Sequence, residues 1–123
     1  MLRNNYFYIS RRADNQDTTR FDITLNPDHP VYQGHFPGNP ICPGVCGIQM
    51  IKECVELILE KPLRMGKLTR CRFLAPLSPL DHPDVFITVQ LTNLEMGYKV
   101  KATVSGTETV TYIDFSAEMQ PTL

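Results

Sequence analysis

The sequence predicts an α+β domain in which a curved antiparallel sheet wraps one long helix. Three features carry that expectation: a helix-period apolar run from Gly44 to about Lys61, period-2 apolar runs on both sides of it, and no second long helical pattern. The 123 residues make one domain, spanning 1–123, with no internal repeat.

The elements follow in chain order. Tyr6, Phe7, Tyr8 and Ile9 form a β-prone cluster, so a first strand is expected over Leu2 to Ser10, then a polar loop over Arg11 to Thr18. Phe21, Ile23 and Leu25 alternate with Asp22 and Thr24, the pattern of a half-buried strand, and the prolines of Asn26-Pro27-Asp28-His29-Pro30 end it. In the helix, Val45, Ile48, Ile51, Val55, Ile58 and Leu59 recur at helical spacing. At about 100° per residue, Gln49, Lys52, Glu53, Glu56 and Glu60 share one polar stripe. Cys46, Met50, Cys54 and Leu57 widen the apolar side, which predicts a largely enclosed helix stopped by Pro62. Strands are then expected over Met65–Leu74, Val85–Leu91, Tyr98–Val104 and Thr109–Met119, with Glu95-Met96-Gly97 as one of the turns.

The chain is organised around Gln33-Gly34-His35-Phe36-Pro37-Gly38-Asn39-Pro40-Ile41-Cys42-Pro43-Gly44-Val45. Pro and Gly fill six of its thirteen positions. Such a loop has a fixed shape. It holds one histidine just ahead of a helix start, a candidate base beside a candidate oxyanion site.

The run GHFPGNPICPGV resembles the motif of the β-hydroxyacyl-acyl-carrier-protein dehydratases, small enzymes of the hot-dog fold that serve fatty-acid and related lipid or polyene synthesis. Arg72-Phe73-Leu74-Ala75-Pro76 is similar to a second, weaker family feature. The resemblance implies the hot-dog fold, with the expected sheet wrapped around the central helix. It implies lyase activity, converting 3-hydroxyacyl to trans-2-enoyl thioesters on acyl carrier protein or coenzyme A, with no cofactor. It also implies a site shared between two subunits, hence a homodimer or a multiple of one. An extra helical segment that family members usually carry before the second strand is not visible here.

By resemblance His35 is the base that removes the proton α to the thioester, a task suited to a neutral imidazole. Phe36 and Gly38 shape the substrate loop. Backbone N–H groups at Gly44 and Val45 would hold the enolate-like oxygen at the positive end of the helix dipole. The family carries a carboxylate four residues after the Val of PGV, and this chain has Gln49 there. An amide has no proton to give at neutral pH. Glu53 lies one turn on, so the family's order of carboxylate then amide looks exchanged; Glu53 is either the displaced acid or a member of the solvated stripe. Three functions therefore stand: a dehydratase using His35 with Glu53, or with Gln49 through a water; a hot-dog acyl thioesterase; and a non-catalytic acyl-binding partner of a complete dehydratase.

Composition excludes other classes. A net charge of −1 gives no basic excess for nucleic acid or a membrane surface, and no run reaches the ~18 apolar residues of a membrane span. With no signal-peptide pattern, a cytoplasmic protein is expected. Cys42, Cys46, Cys54 and Cys71 lack paired metal-ligand spacing, so reduced thiols and no metal site are expected. His29 and His82 are expected at the surface. Lys61, Arg64, Lys67, Arg70 and Arg72 read as a solvated face, of a sign that an acidic carrier protein would favour.

Overall fold

A computed structural model describes residues 1–33, 38–107 and 109–122. The elements are β1 (Phe7–Asn15), β2 (Thr18–Leu25), a 3₁₀ turn (Pro30–Gln33), α1 (Gly44–Leu59), β3 (Leu63–Phe73), β4 (Asp84–Leu94), β5 (Gly97–Ser105) and β6 (Thr111–Pro121). All six strands form one antiparallel sheet in the order β1-β2-β4-β5-β6-β3.

Alternation decides which face of the sheet is covered. Phe21, Ile23 and Leu25 of β2, Val85, Ile87 and Val89 of β4, Val100, Ala102 and Val104 of β5, and Phe115, Ala117 and Met119 of β6 are all buried. The helix meets them with Met50, Ile51, Cys54 and Val55, each fully buried. The α+β expectation, with one helix on an antiparallel sheet, is therefore met. Gly47 brings the helix close to β6, because a Cβ there would collide with Ile113 Cδ1.

Several boundaries differ from the sequence reading. Residues 4–6 form a turn, with Asn4 at φ 73°, and Arg3 makes only an isolated bridge to Phe7, so no strand opens before Phe7. Strand β1 continues to Asn15, through the segment read as a loop, because Arg11 to Asn15 pair with Thr18 to Asp22 across a tight turn at Gln16 and Asp17. That hairpin lies at the sheet edge, where ladder hydrogen bonds extend a strand whose side chains stay exposed. The helix stops at Leu59, with Glu60 in the left-handed region at φ 55°, before Pro62 acts. Strand β6 starts at Thr111.

Candidate active site

The loop reaches the helix through a defined series of contacts. Gly34, His35, Phe36 and Pro37 lie outside the described residues. The structure resumes at Gly38, whose φ of 90° suits glycine alone. Cys42 N–H donates to the Leu77 carbonyl at 2.8 Å, tying the loop to the segment after β3. Pro43 is the N-cap residue, extended at φ −63° and ψ 145°, and no side chain caps the helix. The first helical bonds run from Cys46 and Gly47 N–H to the Pro43 carbonyl, at 3.0 and 3.1 Å. The N–H groups of Gly44 and Val45 precede them, at the positive end of the dipole.

An apolar cavity of about 400 Å³ opens at this helix end, lined by Ile41, Cys42, Gly44, Phe73, Leu77 and Ile113 among others. Its size suits a small ligand or a short acyl segment. Phe73 lies over Gly44, where a Cβ would come within 2.8 Å of the ring. Val45 (76% exposed), Phe73 (56%) and Leu74 (55%) leave an apolar surface beside the mouth. The 72–76 segment noted in the sequence thus meets the PGV segment in space.

Gln49 and Glu53 are brought together, and Glu53 does not lie on a solvated stripe. Of the two readings offered for Glu53, the solvated stripe fails: Glu53 is only 4% exposed. Its Oε1 accepts from Arg3 N–H at 2.9 Å, and its Oε2 accepts from Leu2 N–H at 2.8 Å and from Gln49 Nε2 at 2.9 Å. A buried carboxylate needs such donors, and the residues before β1 supply two of them. Glu53 lines a different cavity, with Arg3, Glu56 and Lys61, and neither it nor Gln49 is among the residues lining the apolar one.

Several neighbours of the loop were not legible as such. Tyr6 and Tyr32, both buried, share a hydroxyl hydrogen bond of 2.6 Å. His29 is half-buried and not a simple surface residue, because it lies edge-on to Tyr6 at 5.2 Å and its Nδ1 accepts from Val31 N–H at 3.1 Å. Burial pushes the Tyr6 phenol up, and Tyr32 up to about 12. Burial also pushes the Cys42 thiol up to about 11, against a smaller opposing hydrogen bond from Tyr6. Cys42 is therefore protonated at neutral pH and unsuited to nucleophilic work. Tyr6 and His29 carry an aromatic and a turn signal in the sequence, but nothing local pairs residues 23 positions apart.

Comparison with known proteins agrees with this architecture. A family model described as ApeI-like, ApeI dehydratase, matches residues 11–111. The 3-hydroxyacyl-[acyl-carrier-protein] dehydratase FabZ of Herpetosiphon aurantiacus is 31% identical over 94 residues, covering 70% of this chain and 65% of that protein. The FabZ of Levilactobacillus brevis is 28% identical over 96 residues, covering 72% of this chain and 63% of that protein. This chain thus spans somewhat less than two thirds of those relatives. Among solved structures, the dehydratase heterocomplex ApeI:P from Xenorhabdus doucetiae superposes with a TM-score of 0.71 at 16% identity, covering 92% of this chain and 96% of that one. An uncharacterized protein from Erwinia carotovora gives a TM-score of 0.64, also at 16% identity, covering 94% and 92%. Those two likenesses concern the fold, and no described helix is long and apolar enough to cross a membrane. The family match covers most of the chain, and on it this hot-dog protein belongs to the ApeI-like dehydratases.

Proposed function

We propose that this chain removes water from 3-hydroxyacyl thioesters, on acyl carrier protein or coenzyme A, to give trans-2-enoyl thioesters. The observation that carries the proposal is the run of the motif's described part, Gly38 to Pro43, into an uncapped helix N-terminus beside an apolar cavity. The thioester oxygen would rest on the Gly44 and Val45 N–H groups, with the acyl chain in the cavity and Phe36 and Gly38 shaping the loop.

His35 takes the α-proton, the Cα–H electrons form the double bond, and the Cβ–O bond breaks. The departing hydroxyl needs a proton. Glu53 is poorly placed to give one, since both its oxygens already accept N–H bonds. In this reading the imidazolium just formed at His35 returns the proton to the hydroxyl, so one residue is base and then acid and the products are enoyl thioester and water. Losing a separate acid typically slows such a step by ~10²–10⁴-fold.

The active unit is a homodimer. Val45, Phe73 and Leu74 leave apolar surface near the cavity, and β3 lies at the sheet edge, where a second copy would add strands. Light scattering should give twice the 14.0 kDa chain mass. The amide at the carboxylate position supports a second reading, an acyl-binding partner of a complete dehydratase. Incubation with a 3-hydroxyacyl thioester separates the readings: enoyl product supports dehydration, free thiol supports hydrolysis, and unchanged but bound substrate supports the partner role.

A further inference from the structure

We infer that Tyr6 and Tyr32 are positioning residues, a pair of buried phenols that ties both described ends of the motif loop to the core and so sets where His35 is held; this rests on the thioester reading above. Tyr6 is the fixed partner. Its side chain is fully buried, its N–H donates to the Leu2 carbonyl at 2.8 Å, and its carbonyl accepts from Asn26 N–H at 2.9 Å. Tyr32 is also buried and stands in the 3₁₀ turn Pro30–Gln33, directly ahead of the loop. Its hydroxyl donates to the Tyr6 hydroxyl at 2.6 Å, across 26 positions of chain. The Tyr6 hydroxyl also hydrogen-bonds the thiol of Cys42, where the loop approaches the helix. One phenol thus meets the chain on both sides of the motif.

Two phenylalanines would bury nearly the same apolar area, so burial does not account for the hydroxyls. A hydroxyl in a core costs free energy unless it is paired. What the pair adds is a set separation, because an O–H···O bond is directional and short while two apolar rings slide over one another. Tyr32 is three positions from His35, and Pro37, Pro40 and Pro43 stiffen the chain on the other side. A shift at either end is therefore passed to the base, where a displacement of about 1 Å costs up to ~10²-fold in rate.

The test compares Tyr6→Phe, Tyr32→Phe and the double variant by melting, by kcat and KM for a 3-hydroxyacyl thioester, and by NMR-detected amide exchange. The Tyr32 and Cys42 amides are the reporters, since they donate to the His29 and Leu77 carbonyls at 3.1 and 2.8 Å. Each single variant strands one buried hydroxyl and should lower both Tm and kcat. Removing both partners leaves nothing stranded, so the double variant should regain most of the lost Tm. Its kcat should stay about 10–100-fold low at unchanged KM, with the two reporter amides exchanging about tenfold faster and those of β4 and β5 unchanged. If a single variant fails to fold, the double variant decides alone. A double variant whose kcat returns with its Tm, one that melts below both single variants, or unchanged exchange at both reporters overturns the inference while leaving the thioester reading intact. If the unaltered protein forms no enoyl product, the thioester reading fails on that result, and reporter exchange still decides whether the pair holds the loop.

Discussion

Replacing Glu53 with leucine removes a carboxylate that holds three N–H donors from two distant parts of the chain. Leaving a buried donor without a partner costs about 1–3 kcal/mol. The Leu2 and Arg3 N–H groups belong to half-buried residues that can turn to water, so the lower end applies to each. Gln49 is also half-buried and can turn its amide outward. The total is then about 3 kcal/mol, which for a domain of this size lowers Tm by roughly 10 °C. Glu53→Gln keeps one acceptor oxygen but sets an NH₂ against a donor, and should cost about half as much. Circular dichroism melts of the unaltered protein and both variants make the comparison. If Glu53→Leu melts within ~2 °C of the unaltered protein, the buried carboxylate carries no energetic weight as an anchor.

Two other perturbations follow from the same packing. Gly47→Ala drives a methyl into the buried Ile113 side chain and should destabilise by about 1–2 kcal/mol in a melt, after a partial gain in helix propensity. Gly44→Ala meets only the exposed Phe73 ring, which can swing away, so stability should hardly change while turnover falls as the cavity mouth is reshaped. Cys42, with its thiol pushed up to about 11 against an ordinary 9.0, should be alkylated about a hundredfold more slowly at pH 7–8 in the folded chain than in the unfolded one. The raised value also means that folding favours the protonated thiol. That contribution is present below pH 9 and is lost as pH rises through about 11. Rapid labelling of native Cys42 at neutral pH would contradict this.

The parts of this fold that were legible are those written locally. Helical periodicity from Val45 to Leu59 announces α1, and alternation announces β2, β4 and β5, because burial on one face imposes period on composition. The loop was legible for a different reason: Pro and Gly fix backbone shape wherever they occur. What escaped was non-local. Two of the three donors to Glu53 are backbone N–H groups 50 and 51 positions away, and backbone donors leave no trace in side-chain identity. The outer half of strand β1, Arg11 to Asn15, escaped because it is held by ladder bonds to β2 and not by buried side chains. His29 looked like a surface residue because the ring that covers it, Tyr6, comes from the far side of β1 and β2.

The central claim is that His35 performs elimination on a 3-hydroxyacyl thioester, and one rate comparison tests it most directly. Initial rates of enoyl-thioester formation are measured for the unaltered protein and for His35→Ala at matched folded concentration, with Tm recorded for both. The account predicts enoyl product from the unaltered protein and its loss in His35→Ala at nearly unchanged Tm, since the glycines and prolines of the loop set its shape. Enoyl formation that persists in His35→Ala would contradict the account.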